Sequence, residues 1–156
     1  MSPSTAPVSG ASQSGASQAG PHSASPPGGP FRDDDPAAVE RAGDALAALA
    51  APYAPRAVVS RGDTADVLLA HVVARTLGVR RHVVVADLGR LIVEDLPPGT
   101  RAVLVTGGAP DGELGSLVRA VTSHGGEVAA VCSLTPPSGR AAHPEGVEVA
   151  HPGGVS

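Results

Sequence analysis

Apolar positions along this chain fall into two alternating rhythms. From Pro36 to about Ala50, Val39, Leu46 and Leu49 share one helical face with Ala42 between them. Asp35 is a natural N-cap and Pro36 a natural first helical residue. Pro52 and Pro55 end the segment. Short, wholly apolar runs then take over: Ala57–Val59, Val83–Val85, Val103–Val105 and Val128–Val131. Helical spacing returns from Thr64 to Leu77, where Gly78 supplies the stop, and from Gly112 to His124, where Leu114, Leu117, Val118 and Val121 point inward and Gly125-Gly126 stop it. Leu88 to Glu94 reads as a short connection extended as a hairpin arm, and Val147–Val149 as an added edge strand.

Runs this short and uniformly apolar are buried on both faces, as in parallel sheets. Their alternation with helices predicts an α/β three-layer sandwich with a short, mostly parallel sheet. The sandwich should occupy residues 35–150. Residues 1–34 read as a disordered low-complexity tail. Met1 to Pro30 holds no Asp, Glu, Lys or Arg, and Ser-Gly-Ala-Ser-Gln nearly repeats at Ser9–Gln13 and Ser14–Gln18. Residues 151–156 read as a frayed end.

Composition narrows the chemistry. The 156 residues suit one domain, and one Tyr, one Phe and no Trp make its core aliphatic. Every basic side chain is Arg or His, so no lysine serves as Schiff base or phosphate clamp. A net charge of −4 without a basic run argues against nucleic-acid binding. Cys132, the one cysteine, lies in an apolar run and reads as a buried packing residue. His71, His82, His124 and His143 have no metal-ligand spacing, so no metal site is expected. Tyr53 reads as a packing residue, and Glu94-Asp95 before Pro97-Pro98 as a solvated turn. No apolar run reaches membrane-spanning length and the first residues carry no signal-peptide pattern, so the expected location is cytoplasmic.

Two loops carry the candidate chemistry, because ligands of open α/β sheets sit beyond the carboxyl ends of the strands. The first is Ser60-Arg61-Gly62-Asp63. The second runs Thr106-Gly107-Gly108-Ala109-Pro110-Asp111 into Gly112. Each leads into a helix, whose first N–H groups and dipole favour an anion. If the two strands are neighbours, both loops face one crevice, which suits a phosphosugar. Pro110 has no N–H to offer. Asp63 and Asp111 stand where each helix begins, and as N-caps they would occupy the N–H groups that a phosphate needs.

With PPGTRAVLV entering the second loop, HGGEVAAV closing its helix, APRAVVSRGDTADVLLAHVVARTLGV upstream and ADLGRL before LPPG, the stretch from Val39 to Leu134 resembles the type I phosphoribosyltransferases. The resemblance implies that Ser60–Asp63 is a pyrophosphate loop and that Thr106, Gly107, Gly108, Ala109, Asp111 and Gly112 surround a 5′-phosphate. It implies Mg2+ as cofactor if the chain is active. The chain departs from the pattern where it matters. Thr106 and Gly107 stand where the family carries two adjacent acids, the Asp87–Leu96 connection is short, and no aromatic residue is placed to stack on a base. The expectation is a phosphoribosyltransferase-like domain of weak or lost transferase activity that retains phosphosugar or phosphoribosyl pyrophosphate binding, with no catalytic residue assigned. SRGDTAD and TGGAPDGE also resemble the phosphosugar loops of sugar isomerase domains, the alternative reading, and a non-catalytic interaction module is a third. A sheet edge or helix face left bare by the missing extra elements makes a homodimer the expected partner arrangement.

Overall fold

The computed structural model describes residues 31–109, 112–136 and 144–155. The low-complexity segment 1–30, and with it most of the expected tail, lies outside the described residues, as do Pro110 and Asp111.

Seven strands form one sheet in the order β3-β2-β1-β4-β5-β6-β7. The central four junctions, β2/β1, β1/β4, β4/β5 and β5/β6, are parallel, and a hairpin closes each edge. The strands are β1 (Ala57–Arg61), β2 (Arg80–Asp87), β3 (Arg90–Val93), β4 (Arg101–Thr106), β5 (Glu127–Ser133), β6 (Glu148–His151) and β7 (Gly154–Val155). Among the described residues three α-helices cover the sheet: α1 (Pro36–Ala50) and α2 (Thr64–Leu77) on one face, α3 (Glu113–Ser123) on the other.

Two apolar clusters make the three layers. Strand residues alternate between faces. Val58, Val103, Val105, Ala130 and Cys132 therefore meet Leu46, Leu69 and Val73 of α1 and α2. Val59, Leu104, Val131 and Val149 meet Leu114, Leu117 and Val121 of α3. β1 and β4 are buried on both faces, as their unbroken apolar runs require.

The helix ends follow from local chemistry. The Asp35 carboxylate accepts from Ala37 N at 3.0 Å with Pro36 at the first helical position, and Asp63 accepts from Asp66 N at 3.1 Å. Gly78 ends α2 at φ +68°, a conformation that costs a residue with a Cβ. α1 and α2 pack closely because position 43 lacks a side chain: a Cβ there would lie 2.4 Å from Val72 Cβ.

Several expectations need correction. Ser60 and Arg61 belong to β1, so the first loop is only Gly62-Asp63. β2 begins earlier and ends later than Val83–Val85, because its outer residues still pair with β1 and β3. α3 starts at Glu113 with Gly112 as its N-cap, at φ +82°. The strand expected over Val147–Val149 starts at Glu148 and is not the edge, since the two residues of β7 pair outside it. His151 to Val155 form that terminal hairpin and are not frayed there. Phe31, expected within the tail, packs against the α1/α2 core.

Candidate functional site

β1 and β4 are parallel neighbours, so their carboxyl ends open side by side; the first loop borders a crevice, and the second loop, which was expected to face it too, does not line it. The crevice beside β1 and β2 measures about 450 Å3. Arg61, Asp63 and Glu113 line its polar side, and Val84, Leu91 and Leu117 its apolar side.

Arg61 joins the two loops. Its Nε donates to Asp66 Oδ2 at 2.8 Å and lies 3.1 Å from Asp63 Oδ2. One terminal nitrogen reaches Glu113 Oε2 at 3.0 Å, the other the Gly108 carbonyl at 3.2 Å. Burial works against the Arg61 charge, but the hydrogen bond and attraction of Asp66, followed by Asp63 and Glu113, hold its pKa above the ordinary value. One guanidinium thus faces three carboxylates, and the cluster carries an excess of negative charge.

Asp66 is the residue that sequence reasoning missed. Its side chain is buried. Oδ1 accepts from Gly107 N at 2.7 Å and from Thr106 Oγ1 at 3.2 Å, while Oδ2 takes Arg61. The backbone amide at the head of the second loop therefore already serves an anion, and that anion is part of the chain. Thr106 Oγ1 in turn accepts from Gly108 N at 3.1 Å. A signal was present: Asp66 stands three, four and seven residues before Leu69, Ala70 and Val73, on the face that α2 buries. A carboxylate there must find donors.

The remaining predicted residues divide. Ser60 is buried and its hydroxyl turns back to the Arg61 carbonyl at 3.0 Å. Gly62 and Asp63 border the crevice, and Asp63 caps α2 as expected. Ala109 is half-buried against the α3-side core. Gly112 begins α3, and the expected cap at Asp111 lies outside the described residues. Phe31 lies over the second loop, its Cδ1 3.8 Å from where a Cβ on Gly107 would stand. Thr135 closes the loop's other side: its hydroxyl donates to the Gly107 carbonyl at 3.4 Å, and a side chain on Gly108 would strike it.

Among the described residues the histidines stay apart, and His143 lies outside them. His71 is exposed on α2, His82 is held by the Glu94 carbonyl and His124 by the Ala120 carbonyl. Tyr53 packs against the α1/α2 core, and its hydroxyl hydrogen-bonds Glu148. Among the described residues, no group of three His, Cys, Asp or Glu side chains is placed to hold a metal ion. The crevice carboxylates are turned onto Arg61, and no acidic pair ends β4. These residues do not fit a magnesium-held pyrophosphate.

No helix among the described residues is long and apolar enough to cross a membrane. No protein-family model and no curated protein matches the sequence. Solved structures do match. The adenine phosphoribosyltransferase of Thermoanaerobacter pseudethanolicus aligns with a TM-score of 0.62 at 18% identity, over 76% of this chain and 80% of that one. That of Rhodothermus marinus gives 0.60 at 20% identity over the same shares. The Saccharomyces cerevisiae enzyme, solved with an imino-altritol bisphosphate and adenine, gives 0.54 at 15% identity over 65% of this chain and 69% of that one. At these identities the likeness speaks for architecture alone: the chain has the type I phosphoribosyltransferase fold.

Proposed function

We propose that this domain keeps the phosphoribosyltransferase architecture without phosphoribosyl transfer, and that its own Asp66 fills the seat of the substrate phosphate. The observation that carries this reading is the 2.7 Å bond from Gly107 N to Asp66 Oδ1, backed by Thr106 on the same oxygen. A phosphate entering the second loop must displace a buried carboxylate that also holds Arg61. It must do so against the field of Asp63 and Glu113, in a chain with no lysine to offset them. Phosphosugars accordingly bind weakly.

Charge at the reacting centre points the same way. An oxocarbenium-like ribose needs carboxylates near the sugar, and Thr106 and Gly107 offer a hydroxyl and a bare backbone there. Nothing specific favours the sugar isomerase alternative. Its hydroxyl-rich loop is reduced to Thr106, whose oxygen is committed to Asp66 and Gly108 N.

The test is pyrophosphate release from phosphoribosyl pyrophosphate and Mg2+ with orotate, adenine, guanine, hypoxanthine or uracil. The expected result is no base-dependent release above the protein-free control. Release with any one base, abolished by Arg61→Ala, would restore the enzyme reading.

A further inference from the structure

β3 is an open edge of the sheet, and its backbone register fixes which groups face outward. It pairs with β2 through Asp87↔Arg90, Ala86↔Leu91, Val85↔Ile92 and Val84↔Val93 around a two-residue turn. Opposed residues in an antiparallel pair alternate between hydrogen-bonded and non-hydrogen-bonded. Glu94 N donates to the Val83 carbonyl at 3.2 Å, so Glu94, Ile92 and Arg90 spend their backbone groups on β2. Leu91 and Val93 turn theirs outward, where the described residues supply no further strand.

This edge holds no proline, and between its flanking charges, Arg90 and Glu94, it presents Leu91-Ile92-Val93. Leu91 is 36% exposed, and Leu88 at the adjoining turn is 95% exposed. A groove of about 650 Å3 runs beside this edge, lined by Arg90, Leu91 and Ile92 of β3 and by Ser116, Arg119 and Ser123 of α3. The opposite edge, β7, is only two residues long.

We propose that β3 pairs antiparallel with β3 of a second copy of this chain, across a two-fold axis at Ile92, joining two sheets into one. The register follows from the outward groups. A symmetric antiparallel pair must hydrogen-bond Leu91 and Val93 to outward groups of the other strand. Centring the axis on Leu91 leaves Val93 opposite the Gly89 turn. Centring it on Val93 sets Leu91 opposite Asp95, whose φ of +53° has left the strand. Centring on Ile92 pairs Leu91 with Val93 of the second copy and Val93 with its Leu91, so both residues are satisfied. The same register sets Arg90 opposite Glu94 of the second copy, at each end of the pairing. Arg90 and Glu94 are both exposed, and neither has an ion-pair partner among the described residues. The segment Arg-Leu-Ile-Val-Glu is thus complementary to itself when reversed, as an isologous contact requires.

The experiment is sedimentation equilibrium of the full chain, with Arg90→Glu, Glu94→Arg and the double variant. The wild type is expected to be a dimer. Each single reversal sets like charges opposite at both ends and weakens association by about ten-fold or more. The double variant restores opposite charges and recovers association. A monomeric wild type overturns the proposal, as would an unrelated peptide being the occupant, since the isolated chain would then stay monomeric. Single variants that associate like wild type, or a double variant that fails to recover, also overturn it. Ile92→Cys gives a second reading that is independent of charge. Cys132 is buried, and a non-hydrogen-bonded pair on the axis places the two Cα atoms about 4.5 Å apart, within disulfide range. Mild oxidation is expected to yield a covalent dimer from Ile92→Cys, and absence of that dimer overturns the register.

Discussion

Asp66 shows how one buried side chain decides what a loop can do. It takes a backbone amide, a hydroxyl and a guanidinium from one loop and two strands. Removing one member of a buried charged network leaves the others desolvated and unpaired. Asp66→Ala is expected to cost about 2–3 kcal/mol, below the range for fully enclosed pairs because Arg61 keeps some solvent contact and two other carboxylates. Urea denaturation measures it, and a loss under about 0.5 kcal/mol, the scale of an ordinary surface change, would show that the network is not formed. Two other side chains set the alkaline limit. Burial, with a smaller push from Glu148, raises the Cys132 thiol to about 12, and the hydrogen bond to Glu148, with burial, raises the Tyr53 phenol to about 12. Both folded-state values lie above their unfolded ones, so the unfolded chain releases these protons first as pH rises. The stability they confer is complete below about pH 9 and is lost progressively toward pH 12. Urea midpoints taken from about pH 8 to 11 should fall, and Cys132→Ala should flatten the early part of that fall. An unchanged slope would refute the assignment.

At the scale of elements, the hydrophobic rhythm made the helices legible almost to the residue, because their ends carry local signals: Asp35 with Pro36, Asp63 and Gly78. The parallel strands were legible in position but not in extent. Strand ends are set by pairing with a neighbour, and Arg80, Arg101 and Glu127 extend their strands without being apolar. For the same reason Ser60 and Arg61 read as loop while pairing with Val83 and Val84 as strand. The terminal hairpin was legible only in its first strand, read over Val147–Val149; β7 has two residues, too few for an apolar pattern, and is held by β6. The α1/α2 contact yields a prediction whose sign opposes helix propensity. Gly43→Ala in a helix interior would ordinarily stabilise by about 0.5–1 kcal/mol. Here the added methyl would sit 2.4 Å from Val72 Cβ, so a net loss of about 1–3 kcal/mol is expected. Thermal unfolding decides between the two signs, and a stabilised variant would show that the helices separate at little cost.

For the whole molecule, the sequence disclosed the layered α/β fold and the nearness of the two loops, because both follow from strand and helix order. It did not disclose the side chains that tie the loops together. Asp66 lies 40 residues before Thr106 and Arg61 lies 52 before Glu113, so their meeting depends on β1 and β4 being neighbours. The expectation that a carboxylate would take the amides at a helix start holds at Asp63, which caps α2, and the expected cap at Asp111 lies outside the described residues. At the second loop it is Asp66, one turn into α2, that takes the Gly107 amide. The proposed separation of fold from activity rests on electrostatics: the Gly107 amide and the Thr106 hydroxyl donate to a carboxylate of the chain itself. The most direct test is isothermal titration of the wild-type chain with phosphoribosyl pyrophosphate in the presence of Mg2+. The account predicts binding no tighter than about millimolar. Saturable one-to-one binding in the low micromolar range would show that Asp66 yields its donors to the ligand, and would contradict the account.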